Sequence, residues 1–131
     1  MLKFSDSVVG SYTITATLAE KDVENIMVAA IEGGIGYWAI LDNTGPCWRS
    51  RPKGEPISTW AAKLLCEGKF LRFFPAEGRD KTEWVLTLEK LIEGIKINAE
   101  RRPRYADMDN FDAIDVDCII QYALFGDVIF G

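Results

Sequence analysis

Histidine is absent from the 131 residues. That removes the usual general base, the commonest zinc ligand and the one side chain that switches charge near neutral pH. A Ser-His-Asp or Cys-His site within one chain is excluded with it. Any catalysis would have to use carboxylates, lysine, tyrosine or a bound metal. Cysteine is scarce: Cys47, Cys66 and Cys118 are odd in number and far apart, with no C-x-x-C pair. With no secretory apolar core after Met1, this points to a reducing, cytoplasmic setting. No apolar run approaches the ~20 residues of a membrane span. The formal charge of −5 is weakly acidic, which favours solubility and disfavours attraction to phosphate backbones or anionic lipid.

What is present is ordinary for a soluble globule, with 48% hydrophobic and 27% charged residues. A chain of this length is expected to form a single domain over 1–131, and it can bury a core without disulfides or metal. The organising stretch is VENIMVAAIEGGIGYWAIL at 23–41. Val23, Ile26, Met27, Ala30 and Ile31 repeat at helical spacing, and Thr17-Leu18-Ala19-Glu20 fits a capping box in front of them. Gly33 or Gly34 is expected to stop this helix in a left-handed conformation, after which Tyr37 and Trp38 turn back into the core.

Elsewhere the periodicity predicts further elements. Residues 10–18 alternate Tyr12, Ile14, Ala16 and Leu18 against Ser11 and three threonines, the pattern of a half-buried strand. Residues 1–9 are less regular and expected to fray. Residues 42–56 hold three of the five prolines and two glycines, and read as a long loop. A second helix carries Ile57, Trp60, Ala61, Leu64 and Leu65, and two strands at 69–74 and 83–88 form a hairpin. A third helix presents Leu88, Leu91, Ile92 and Ile95, with Gly94 costing ~1 kcal/mol relative to alanine. A fourth helix carries Val116, Ile119, Ile120, Ala123 and Leu124 behind Asp112 and Asp115, and an apolar DVIFG tail closes the chain as a last strand. The order β-α-β, loop, α-β-β-α-α-β does not alternate strictly. An α+β fold follows, with a small, mostly antiparallel sheet covered by about four amphipathic helices.

The candidate functional residues come from departures from these rules. Gly33, Gly34 and Gly36 follow a helix and precede a strand, the reverse of a dinucleotide fingerprint, so they read as a helix stop. Glu32 stands at the unfavourable negative end of that helix and needs a partner, for which Arg49 and Arg51 are the nearest candidates. Tyr37 and Trp38 are either core anchors or pocket walls. Asp107, Asp109, Asp112, Asp115 and Asp117 fail the calcium-loop pattern, and no metal or cofactor is expected. Trp48-Arg49-Ser50-Arg51 and Arg101-Arg102-Pro103-Arg104-Tyr105 interleave cations with aromatics, as nucleic-acid surfaces do, but against a net acidic chain. Gln121 is an amide on an otherwise apolar helix and must find partners if buried, such as a backbone group of the sheet. The apolar tail is a candidate surface for self-association.

EGGIGYW at 32–38, LTLEKLIEG at 86–94 and the closing DAIDVDCIIQYALFGDVIFG at 112–131 resemble a family of small uncharacterised proteins of bacteriophages, prophages and related mobile elements. Val116 stands where that family tends to have alanine. The resemblance covers most of the chain outside residues 1–9 and the 42–56 loop. It implies a genetic setting, the cytoplasm of a bacterial host, and no chemistry. Three readings follow. The first is a non-catalytic interaction module with a protein partner. The second is a small-molecule or nucleotide binder, or an enzyme, built on Glu32, Tyr37 and a C-terminal aspartate. The third is nucleic-acid contact through the arginine clusters.

Overall fold

The computed structural model describes residues 1–78, 81–102 and 111–131. Its elements run α1 (Glu20–Ala29), a π turn (Ala30–Gly34), β1 (Ala39–Asp42), a 3₁₀ turn (Pro46–Trp48), α2 (Ile57–Cys66), β2 (Leu71–Pro75), β3 (Trp84–Leu86), α3 (Leu88–Arg101) and α4 (Ala113–Phe125). The fold is α+β, with one antiparallel sheet in the order β1-β2-β3. No described helix is long and apolar enough to cross a membrane.

Both outer strands expected from the sequence are missing. Residues 1–19 form neither helix nor strand, and every side chain through Thr17 is exposed. The DVIFG tail is likewise not a strand. Alternation describes a segment that suits a sheet, but the sheet must also offer it a pairing edge, and none is used in this chain.

The helices are set by their ends as much as by their faces. At α1 the expected Thr17–Glu20 box is displaced by two residues. Ala19 occupies the cap, and the Asp22 carboxylate accepts its N–H at 2.8 Å. Asp112 and Asp115 do form a reciprocal box at α4, with backbone-to-carboxylate bonds of 2.9 and 3.3 Å. Thr87 Oγ1 accepts from Lys90 N to start α3, and Gly126 closes α4 at φ 75°, where a Cβ would clash with its own backbone.

The end of α1 departs from expectation in mechanism. Neither Gly33 nor Gly34 is left-handed; Gly33 is extended at φ 178°. The helix instead widens for one turn, with Ile35 N–H reaching back to the Ala30 carbonyl at 3.0 Å. The Ile35 carbonyl then accepts the backbone N–H groups of both Trp38 and Ala39, and this tight turn aims Trp38 inward at 3% exposure. Tyr37, its neighbour, points the other way and is 53% exposed, so only one of the pair re-enters the core.

Helices α3 and α4 pack on each other without a spacer. A Cβ on Gly94 would sit 2.4 Å from the Ile119 carbonyl oxygen and 2.9 Å from Ala123. The α3 face turned inward is therefore Leu91, Gly94 and Asn98, while Ile92, assigned to it by spacing, is half exposed.

Among the described residues, helices cover one side of the sheet. The register pairs Leu41 with Phe73 and Leu71 with Leu86, all on the side that meets α2 and α4. Opposed residues share a face, so Ile40, Phe74, Arg72 and Val85 lie together on the other side. The core proper runs through Val23, Met27, Leu65, Phe73, Leu91, Ile119 and Ile120.

Candidate functional site

The most elaborate cluster lies where the turn after α1 meets α4. Asp117 projects from α4 toward that turn. Its Oδ1 accepts from Trp38 Nε1 at 2.8 Å and from Gln121 Nε2 at 2.9 Å, and its Oδ2 accepts from the Tyr37 hydroxyl at 2.5 Å. A half-buried carboxylate is stabilised by such donors, each contributing about 1.5–3 kcal/mol where one partner is charged. Asp117 and Gln121 are four residues apart on a helix and so share a face.

Gln121 is fully buried, and its amide is satisfied on every side. Its Oε1 accepts the backbone N–H groups of Ile129 and Phe130, both at 2.8 Å, and its Nε2 also reaches the Phe130 carbonyl at 3.3 Å. The backbone partner is thus the tail and not the sheet. That single side chain substitutes for a strand neighbour and folds the tail back over the core. Phe130 then stacks on Trp38, with ring centroids 5.0 Å apart and planes 10° from parallel. Trp84 and Phe125 complete the aromatic group, meeting each other edge-on at 5.0 Å.

Beside this cluster opens a cleft of about 540 Å³, walled by Tyr37, Trp38, Pro75, Glu77 and Phe130. Its size lies within the range of ligand pockets, and its walls are mostly aromatic and apolar. The Tyr37 hydroxyl sits at its rim, with its pKa pushed up to about 12. Partial burial is the first cause, and the hydrogen bond to Asp117 and that carboxylate's charge add to it. It is a proton donor locked to a carboxylate and resists ionisation.

The other candidates stand apart from this cleft. Glu32 Oε1 accepts from the buried Ser58 hydroxyl of α2 at 2.9 Å, which replaces the expected arginine partner and ties the π turn to α2. Arg49 is exposed, and Arg51 turns to the backbone carbonyl of Glu55 within its own loop. Trp48 lines a separate hollow of about 360 Å³ with Phe70 and Arg72. Gly33 and Gly34 shape the turn and touch neither hollow. The loop at 42–56 is anchored by Trp60 Nε1 on the Cys47 carbonyl at 3.1 Å.

A second polar group lies near the α3–α4 junction. Asp115 is fully buried and pairs with Arg102 at 3.1 Å; burial pushes its carboxyl up, while the Asp112 backbone and Arg102 pull it down. Burial likewise raises the Cys118 thiol, partly offset by Arg102. Asn98 is also fully buried, and its amide has no hydrogen-bond partner among the described residues. Asp107, Asp109, Arg104 and Tyr105, which the sequence singled out, lie outside the described residues. Among the described residues no cluster of three acidic or cysteine side chains is placed to hold a metal ion.

No protein-family model, curated protein or solved structure matches this chain. The reading of its site therefore rests on the geometry. Asp117 entered the sequence reading only as one of five C-terminal acids, without its partners, and Phe130, Pro75 and Glu77 were not singled out as site residues. Only Asp117 left a signal, through its i,i+4 relation to Gln121.

Proposed function

We propose that this protein is a non-catalytic interaction module of bacteriophage or prophage type, working in the bacterial cytoplasm by docking a protein partner at the cleft beside Tyr37. The observation that carries the reading is the occupation of Asp117. Both of its oxygens are engaged by Tyr37, Trp38 and Gln121, so the polar groups at the cleft hold structure. The surface that they hold open is aromatic and apolar, with Tyr37 half exposed and Glu77 as its acidic edge. A partner suited to it inserts an apolar side chain flanked by lysine or arginine, since aromatic anchors in dry pockets supply most binding energy and charge complementarity supplies orientation. The phage setting comes from the resemblance of the EGGIGYW, LTLEKLIEG and C-terminal segments.

Affinity capture from a bacterial lysate with tagged protein tests this reading, with Glu77→Lys alongside. A protein retained by the wild type and lost from the variant supports the docking surface. Equal retention by both removes it. The cleft volume also favours a small-molecule reading, with Tyr37 as the polar contact. Native mass spectrometry of the purified protein decides between the two, since a co-purifying small molecule adds mass that Tyr37→Ala abolishes.

A further inference from the structure

Residues 7–18, SVVGSYTITATL, contain no charged residue and no proline. Valine, isoleucine, threonine and tyrosine dominate, which is the composition of a sheet strand. Segments that stay unfolded for compositional reasons are charged and poor in such residues, and this one is the opposite. Yet Val9, Tyr12 and Ile14 project into solvent, Tyr12 at 88% exposure. An uncharged strand sequence left unpaired invites strand addition, and proteins ordinarily block that with charge, proline or a covering element. None of these devices is present in residues 7–18.

The sheet has the complementary vacancy. Three strands leave two outer edges, β1 and β3. The β3 edge is three residues long, runs within one residue into α3 and has α4 packed against it. The β1 edge is a residue longer and carries Ile40 at 53% exposure. Ile40 faces Phe74 on the sheet side that no helix covers among the described residues. Residues 12–17 extended span about 20 Å, enough to run along all of β1.

We infer that residues 11–17 of one copy add as a fourth strand to the free edge of β1 in a second copy. Backbone hydrogen bonds supply the pairing, and the alternation supplies the register: Tyr12, Ile14 and Ala16 fall beside Ile40 and Phe74, and the threonines turn to the other face. The occupant is another copy because the same chain's segment, anchored to its own core only at Leu18, leaves α1 without meeting its own sheet, whose β1 edge pairs with no further strand among the described residues. Reciprocal exchange gives each copy one donated and one received strand, a closed two-fold assembly.

Size-exclusion chromatography with light scattering, run on the full chain across the micromolar range, reads the assembly directly. Wild type is expected at a multiple of the protomer mass and Thr13→Pro, which removes a ladder donor, at the protomer mass with unchanged circular dichroism. Hydrogen exchange should be slower at residues 39–42 in the wild type than in the variant. A deletion of 1–17 removes only exposed residues and carries the same readouts should the proline variant misfold. The inference is overturned by a wild type of protomer mass throughout, by a mass that neither variant lowers (assembly through the tail), or by protection gained at 84–86 in place of 39–42.

Discussion

The two ends of this chain carry similar sequence and meet opposite fates. SYTITATL and DVIFG both read as strands, and neither is one. The second is nonetheless held, because Gln121 offers its backbone a carbonyl and an amide and Trp38 offers Phe130 a flat ring. The first touches its own core only at Leu18, and through Thr17 it meets no such receptor and stays exposed. Strand-like composition thus expresses a need for partners, and whether it is met depends on one or two side chains far away in sequence.

The most severe way to break this contrast is to remove the ring beneath the tail. Trp38→Ala is expected to cost about 3–5 kcal/mol in urea unfolding, as befits a buried aromatic with three aromatic neighbours. It should also loosen residues 128–130. A loss under 1 kcal/mol would mean that Trp38 is a pocket wall and not a core anchor.

Gln121→Leu keeps the volume and deletes the clasp. Two partly buried backbone N–H groups and Asp117 each lose a partner, with an expected cost of about 1–3 kcal/mol. Hydrogen exchange at residues 129 and 130 should accelerate selectively. Unchanged exchange there would show that Phe130 stacking alone holds the tail, and the contrast between the two ends would rest on one contact in place of two.

Tyr37→Phe is milder, about 0.5–1.5 kcal/mol for one hydrogen bond at a half-exposed rim. It also has a pH signature. The folded pKa, about 12, lies above the ordinary tyrosine value of 10.0, so the stabilisation is complete below pH 10 and fades as pH rises toward 12. Solvent screening at this exposed rim keeps that loss small. The variant should show a shallower stability decline over that window, and one phenol fewer titrating at its upper end.

Legibility in the sequence followed the range of the interactions. The four helices were readable because their apolar spacing and caps are local, as Asp112 with Asp115 illustrates. The hairpin of β2 and β3 was readable for the same reason. Trp38's burial was readable from the abrupt end of an apolar helix, although the stop itself is a widened turn and not a left-handed glycine. Gly94 was misjudged in sign: propensity charges it for flexibility, whereas the Ile119 carbonyl leaves no room for any Cβ. Glu32's partner was missed because Ser58 sits in a helix that no local pattern joins to the π turn. Of the cleft, Tyr37 and Trp38 were visible as the aromatic pair after the helix stop, and Gln121 beneath it as an amide on an apolar helix. Pro75, Glu77 and Phe130 were not, since only the sheet register and the folded tail bring them together.

The smallest expected effect lies at the other end of the comparison. Tyr12→Ala removes a large aromatic, and a change of that size in the core would cost several kcal/mol. Here the ring has almost no neighbours to lose, so unfolding of the dilute, monomeric protein should shift by no more than about 0.5 kcal/mol. At concentrations where copies associate, the same substitution should lower the unfolding midpoint relative to wild type, because binding between folded copies adds stability by mass action. A large loss in the dilute regime would mean that the segment packs on its own domain, and the difference between the two ends would then be one of degree.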